Sequence, residues 1–386
     1  MKLYKTGLIF IVSIFMFSCW GFYIPNEEEI EFEAICHIYP DLGTPGTEFT
    51  FNIDAIKIKR DSITHLTRHK FRWDFNNDGT FDTEWSNNIE EHHTFNAEGN
   101  HQTIIEVKTP GLDIHRDTCR VLVQPLIKIY DNISGHDIGS VDCSIDGSNR
   151  IAFDRPSNIV ESEIWTIDYP NNNPKQVSSE NALFPEWSSD GKYILFRRGQ
   201  EFWVVDLETG EEQTLIVWGG IISFVPSWSH NIRNLAYTTK SSIEIYSLNS
   251  GNVTRIPTDV TYNLISWSPD DQILAVASRN NKLSTLDFFD VEESKLSESI
   301  SFEFNYTGAK LDWSLDNKWL STGFANNSSV LYILNRQSGE FKQIEINGLE
   351  NVWYAGWSYD SKMIVFAGSA PSENTSIWGI QVPDDF

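Results

Sequence analysis

A short phrase recurs six times between residue 140 and the C-terminus, and its period constrains the fold more tightly than any overall composition. Each copy has an aromatic, a serine and an acidic turn, followed by an apolar run. The phrases are WSSDGKYILF from Trp187, WSHNIRNLAY from Trp228, WSPDDQILAV from Trp267, WSLDNKWLST from Trp313 and WSYDSKMIVF from Trp357. A degraded first copy, CSIDGSNRIAF, starts at Cys143, where a small core residue replaces the aromatic. Successive starts lie 44, 41, 39, 46 and 44 residues apart. That spacing, with one turn-bounded aromatic strand per copy, predicts radial four-stranded blades.

Each repeat carries further strand signals. After the apolar second strand comes an aromatic, one residue, an aliphatic and a polar group, as in Trp165 to Asp168, Trp203 to Asp206, Tyr246 to Asn249, Tyr332 to Asn335 and Trp378 to Gln381. Aromatic and aliphatic two apart share one face of a strand, as packing against a neighbouring blade requires. The copy from Trp267 departs, with Asp287 at the aromatic position. The last copy ends on its third strand, whereas LIKIYDN (126–132) reads as an outer strand without a repeat of its own. Pairing the two would close a ring and remove its open edges.

These repeats resemble those of the TolB-type propeller, whose unit runs strand, W-S-P-D-G, strand, I-Y-x-x-D, strand. WSPDD at Trp267 is the nearest copy, and the resemblance covers residues 126 to 386. It implies a six-bladed β-propeller. Its functional implication is broad, because related repeats serve envelope proteins that bind protein partners and the lids of prolyl-oligopeptidase-type peptidases. The repeated Trp and Asp residues are expected to be structural, since each recurs in every blade.

Residues 33–124 lack the phrase and alternate in a β manner. They contain FRWDFNNDGTFDTEW (71–85) and EEHHTFNAEGNHQTIIEV (90–107). Asn77-Asp78-Gly79 is a tight-turn signal, and HQTIIEV and RVLVQPL supply alternating strands. The ordered pair Trp73-Asp74-Phe75 with Asp78-Gly79, then His93-Thr94-Phe95 with Gly99, resembles the polycystic-kidney-disease (PKD) module. The expected architecture is therefore all-β: an immunoglobulin-like PKD β-sandwich over 33–124, then a six-bladed propeller over 125–386. The resemblance implies a spacer or adhesion module without catalysis.

Asp74, Asn76, Asp78 and Asp82 stand at offsets that a calcium loop would use, although Trp85 occupies the place of its closing Glu. The alternative is a hairpin whose side chains cap its own turn. No cofactor is expected unless that loop holds calcium. His92 and His93 are adjacent in a strand and face opposite ways, which disfavours joint metal ligation.

Lys2 and Lys5 precede an apolar run too short to span a bilayer, ending at Ser18-Cys19. Residues 1–18 are expected to be a signal peptide, Cys19 a lipidated N-terminus and 19–32 a tether. An oxidising compartment would allow Cys36 and Cys119 to pair. A formal net charge of −25 argues against nucleic acid as a partner. No G-x-S-x-G elbow, P-loop, H-E-x-x-H or C-x-x-C occurs, so no enzyme class is indicated. Trp218, Phe224, Trp353 and Tyr354 lie outside the recurring positions. They are candidates for a ligand-facing surface or for plugs of the ring's interior. The expectation is a non-catalytic cell-envelope lipoprotein, facing the periplasm or cell surface, whose propeller binds an envelope protein. Glycan binding is the alternative, with a propeller-type carbohydrate-active enzyme behind it.

Overall fold

The computed structural model describes residues 32–386 apart from 59–60, 64–65, 112, 133–136, 157–161, 172, 179–180, 218–225, 280–283, 303–309, 325–328 and 385. Cys19, Trp218 and Phe224 lie outside the described residues, as do the expected signal peptide and most of the tether. Every regular element among those described is a β-strand.

The first region forms two sheets. Phe32–Tyr39, Thr47–Ile58, Asp61–Ile63 and Glu90–Phe95 make one; Lys70–Asp74, Gly99–Lys108 and Ile114–Val123 belong to the other. Phe49, Phe51, Phe71, Trp73, Ile105, Val107 and Val121 fill the space between them. A disulfide between Cys36 and Cys119 joins strands of the two sheets, with Cα atoms 6.5 Å apart. Asp117 accepts the Ala34 amide at 2.6 Å beside it.

The second sheet does not end at the edge of this region. The two-residue strand Leu42–Gly43 runs parallel to Leu122–Val123 on one side and to Ile344–Glu345 on the other. One eight-stranded sheet therefore spans the first region and a propeller blade. Asp41 accepts the Gln343 amide at 2.8 Å and pairs with Lys342 at 3.2 Å, while Thr44 accepts the Asn347 amide at 2.8 Å. The chain buries Leu42 among Leu122, Ile344 and Ile346, so the first region meets the propeller through one sheet.

Six four-stranded antiparallel units follow, at 141–178, 182–217, 227–257, 264–302, 312–345 and 351–381 with 126–130, of which 312–345 is the propeller part of that eight-stranded sheet. We number these blades 1 to 6. Leu126–Tyr130 pairs antiparallel with Ser376–Gln381 and supplies the outer strand of blade 6. The innermost strands touch in circular order, each against the next, and Asn351–Trp357 of blade 6 against Val141–Cys143 of blade 1. The result is a ring with an axial channel, a six-bladed β-propeller.

The repeated phrase makes this ring for local reasons. In Trp187-Ser188-Ser189-Asp190, the Ser188 hydroxyl donates to Asp190 at 2.8 Å and accepts the Tyr193 amide at 3.0 Å, while Asp190 accepts the Lys192 amide at 3.1 Å. The same set recurs at Ser229, Ser268, Ser314 and Ser358. A fourth residue in the left-handed region completes each turn, Gly191 at φ 66° and Asn317 at φ 62° among them. The tryptophan packs between its own blade and the preceding one. Trp187 sits with Ile194 and Phe196 of blade 2 and Ala152 and Ile164 of blade 1, and Trp357 reaches Ile333 of blade 5 in the same way. Burying such a side chain contributes about 2–3 kcal/mol, which is why the aromatic recurs.

Asp287 also finds its explanation. It is buried where other blades carry an aromatic, and it accepts hydrogen bonds from the hydroxyls of Tyr262 and Ser299. The Tyr262 ring, from the segment before blade 4, packs against Phe289 at 6.0 Å.

Candidate functional site in the channel

The residue before each repeated aromatic faces the channel, because it alternates with a side chain packed between blades. These residues are Asp142, Glu186, Ser227, Ser266, Asp312 and Gly356. Four of them also strap the ring together. Asp142 accepts the Trp187 amide at 2.6 Å, Glu186 that of Trp228 at 2.9 Å, Ser227 that of Trp267 at 3.1 Å and Asp312 that of Trp357 at 2.6 Å. Each side chain thus caps an amide of the following blade. Gly356 has no side chain to offer, and Ser266 makes no such bond among the described residues.

Lys310 fills the place that Gly356 leaves open. Its ammonium pairs with Asp142 and lies 3.5 Å from Asp312, on either side of the glycine. A Cβ on Gly356 would stand 3.6 Å from Asp312 Oδ2 and 3.8 Å from the Cys143 amide nitrogen, in ordinary contact. Burial acts against the Lys310 charge, but Asp142, Asp312 and Glu186 together hold its pKa above the ordinary amine range. Loss of hydration pushes Glu186 up to about 8, opposed by Lys310 and reinforced by Asp142 and Asp312. Burial likewise raises Asp312, with Lys310 opposing it.

These groups line a cavity of about 60 Å³ together with Trp187, Trp228, Trp267 and Trp313. By the measure in which one water needs some 10–15 Å³, that is room for a few waters or one small charged group. Ser189, Ser229 and His230 of the repeated turns also line it, so it opens toward the turn face of the ring. A smaller space bounded by Pro226, Leu264 and Leu311 continues on the opposite side of the same carboxylates. Among the described residues no group of three His, Cys, Asp or Glu is placed to hold a metal ion.

The structure places the sequence candidates elsewhere. Trp353 is partly buried and donates its indole N–H to the Gly139 carbonyl at 2.8 Å. Tyr354, at φ 52°, packs on Phe184, at φ 57°, with ring centroids 5.7 Å apart. Both belong to the seam of blades 6, 1 and 2, where buried Asp154 accepts the amides of Ser140 and Phe184 at 2.9 and 2.8 Å. They pack the seam.

Asp74, Asn76, Asp78 and Asp82 do not form a cation cage. Asp74 accepts the amides of Asp78 and Gly79 at 3.2 and 2.9 Å, Asp78 that of Thr80 at 2.7 Å and Asp82 that of Phe75 at 2.7 Å. Asn76 accepts the Asp78 amide at 3.1 Å, so the four side chains cap their own hairpin. His93 stacks on Phe75 at 4.3 Å, and burial lowers its pKa.

Sequence reasoning assigned the repeat's acids to turns and missed the channel set. The signal was present in the column before the aromatic, the one place in the phrase where Asp, Glu, Ser and Gly alternate without pattern.

Residues 198–326, within blades 2 to 5, match the family model for eukaryotic translation initiation factor eIF2A. No curated protein matches the chain. Among solved structures, TolB from Acinetobacter baumannii is 14% identical, with a TM-score of 0.45, covering 74% of this chain and 77% of that one. A chain of the mitotic checkpoint complex is 15% identical, with a TM-score of 0.48 over 67% and 91%. The Cps50 (Swd1) propeller domain of Myceliophteria thermophila is 13% identical, at 0.48 over 65% and 99%.

Proposed function

We propose that this protein is a non-catalytic binding scaffold of the cell envelope, docking a protein partner on one face of its propeller. One observation carries this reading: the two faces of the ring are built by different rules. On the turn face, blades 2 to 6 reverse over a constant span, as from Trp187 to Tyr193, Trp228 to Asn234 and Trp357 to Met363, with the same hydrogen bonds each time. On the opposite face the described connections keep no common span, as 258–263 and 346–350 between blades and 239–241 and 370–375 within them show. Folding sets the first face; the second is free to vary, as recognition surfaces carried on a rigid scaffold do.

The channel supports the non-catalytic part. Its carboxylates cap backbone amides and its cavity is too small for a sugar ring, which disfavours the glycosidase alternative. An envelope location follows from the charged, apolar and cysteine-terminated start of the sequence, with a lipid on Cys19, and from the Cys36–Cys119 bond. The first region, read as a PKD-like module, is a rigid arm of the scaffold.

Photo-crosslinking tests the reading. A crosslinker at Lys240, Val260 or Ser372, on the variable face, should trap a discrete envelope protein in the native cell. The same probe at Lys192, Ser338 or Tyr359, on the turn face, should not. Adducts from the second set alone would overturn the proposed face.

A further inference from the structure

We propose that the turn-side channel cavity binds a primary ammonium group, such as a lysine side chain or a small free amine, between Glu186 and Ser266. This is independent of the partner on the variable face.

The channel ring has two halves. On the side of blades 5, 6 and 1, the protein supplies its own ammonium: Lys310 sits between Asp312 and Asp142 where Gly356 leaves a gap. On the side of blades 2, 3 and 4, Lys310 acts on Glu186 only through space, and no salt bridge reaches it among the described residues. Glu186 uses Oε1 to accept the Trp228 amide, and its Oε2 has no partner among the described residues. Ser266 is only 6% exposed and lines the cavity, and its hydroxyl, unlike that of Ser227, is bonded to nothing among the described residues. That hydroxyl is open to the cavity, and its neighbours in the ring are informative. They cap an amide, and it does not.

The remaining features select the ligand class. Carboxylates outnumber the cation, which favours a positive guest. The acids do not converge as a metal would require, which leaves a guest that donates hydrogen bonds. An ammonium offers donors for Glu186 Oε2 and Ser266 Oγ, with Ser227 between them. About 60 Å³ suits an aminomethyl head with its stem toward the mouth. Glu186, facing Asp142, Asp312 and Lys310, with His230 at the rim, is held largely protonated near neutrality. Its proton leaves to solvent as the ammonium enters, so binding should tighten as pH rises toward 8.

The test is titration of the full chain with methylammonium, followed by tryptophan fluorescence and calorimetry, with tetramethylammonium as the donor-free control. Saturable methylammonium binding that tightens with pH, and no binding of the control, is expected. Glu186→Gln and Ser266→Ala should each weaken it by about tenfold or more. Both should fold: the Gln carbonyl still accepts the Trp228 amide, and Ser266 holds no bond to lose. Circular dichroism and melting confirm this before affinities are compared. No binding, equal binding of tetramethylammonium, or unchanged affinity in both folded variants would overturn the site.

Discussion

At the scale of single residues, one column of the repeat both closes the ring and sets its electrostatics. An acid there caps the next blade's amide with one oxygen and leaves the other toward the channel, so changes have two separable effects. Glu186 provides the cleanest case. A carboxyl whose pKa rises on folding, here to about 8 from 4.5, adds stability below the lower value and loses it as pH climbs through the higher one. Glu186→Gln keeps the capping carbonyl and cannot ionise. Chemical denaturation of both proteins at pH 5 and pH 8 should show the variant gaining about 1–3 kcal/mol on wild type over that interval. A gap that stays constant with pH would mean that Glu186 is already ionised at the lower value. The column was legible only in part. Trp187 and Asp190 announce themselves by repetition, whereas Asp142, Glu186, Ser227, Ser266, Asp312 and Gly356 look like noise until strand register sets them side by side. Lys310 has no counterpart in the other copies at all.

At the scale of elements, strands with strong signals appear where periodicity puts them, and the decisive exception is the shortest. Leu42–Gly43 stands in a Gly- and Pro-rich run, DLGTPG, which reads as a loop because a two-residue strand has no period to detect. Its neighbours on both sides create it. Leu42 is fully buried, and Leu42→Asp would set an unpaired charge among Leu122, Ile344 and Ile346. We expect a loss of about 3–5 kcal/mol at the junction. In calorimetry the single transition of the intact chain should split into two, one for each region. A single transition merely shifted downward would show that the junction adds stability without coupling the domains. The hairpin at Asp74–Asp82 shows the opposite case: side chains that cap their own turn were a reading the sequence offered, because their acceptors stand within a few residues of the amides they take.

For the whole molecule, the closing strand matters more than its length suggests. Ile129 is 1% exposed and packs among Ile138, Val141 and Val365, so it binds the outer strand of blade 6 to blade 1. Ile129→Ala should cost about 2–4 kcal/mol by lost burial and cavity formation. Because it opens an edge as well, the variant should also aggregate faster on mild heating, as light scattering would show. The equivalent truncation Ile256→Ala, in the outer strand of blade 3, removes similar burial without touching the seam. It should destabilise without that added aggregation. Equal aggregation by the two variants would remove the special standing of the seam.

The chain grips the ring at two adjacent sectors, through Leu42–Gly43 at blade 5 and through Leu126–Tyr130 at blade 6. Tension applied at the N-terminal end is therefore shared between neighbouring wedges and meets ladders of hydrogen bonds side by side. A molecule held by its first sheet would present its ring at one fixed bearing, as a compass needle pinned at two points cannot swing.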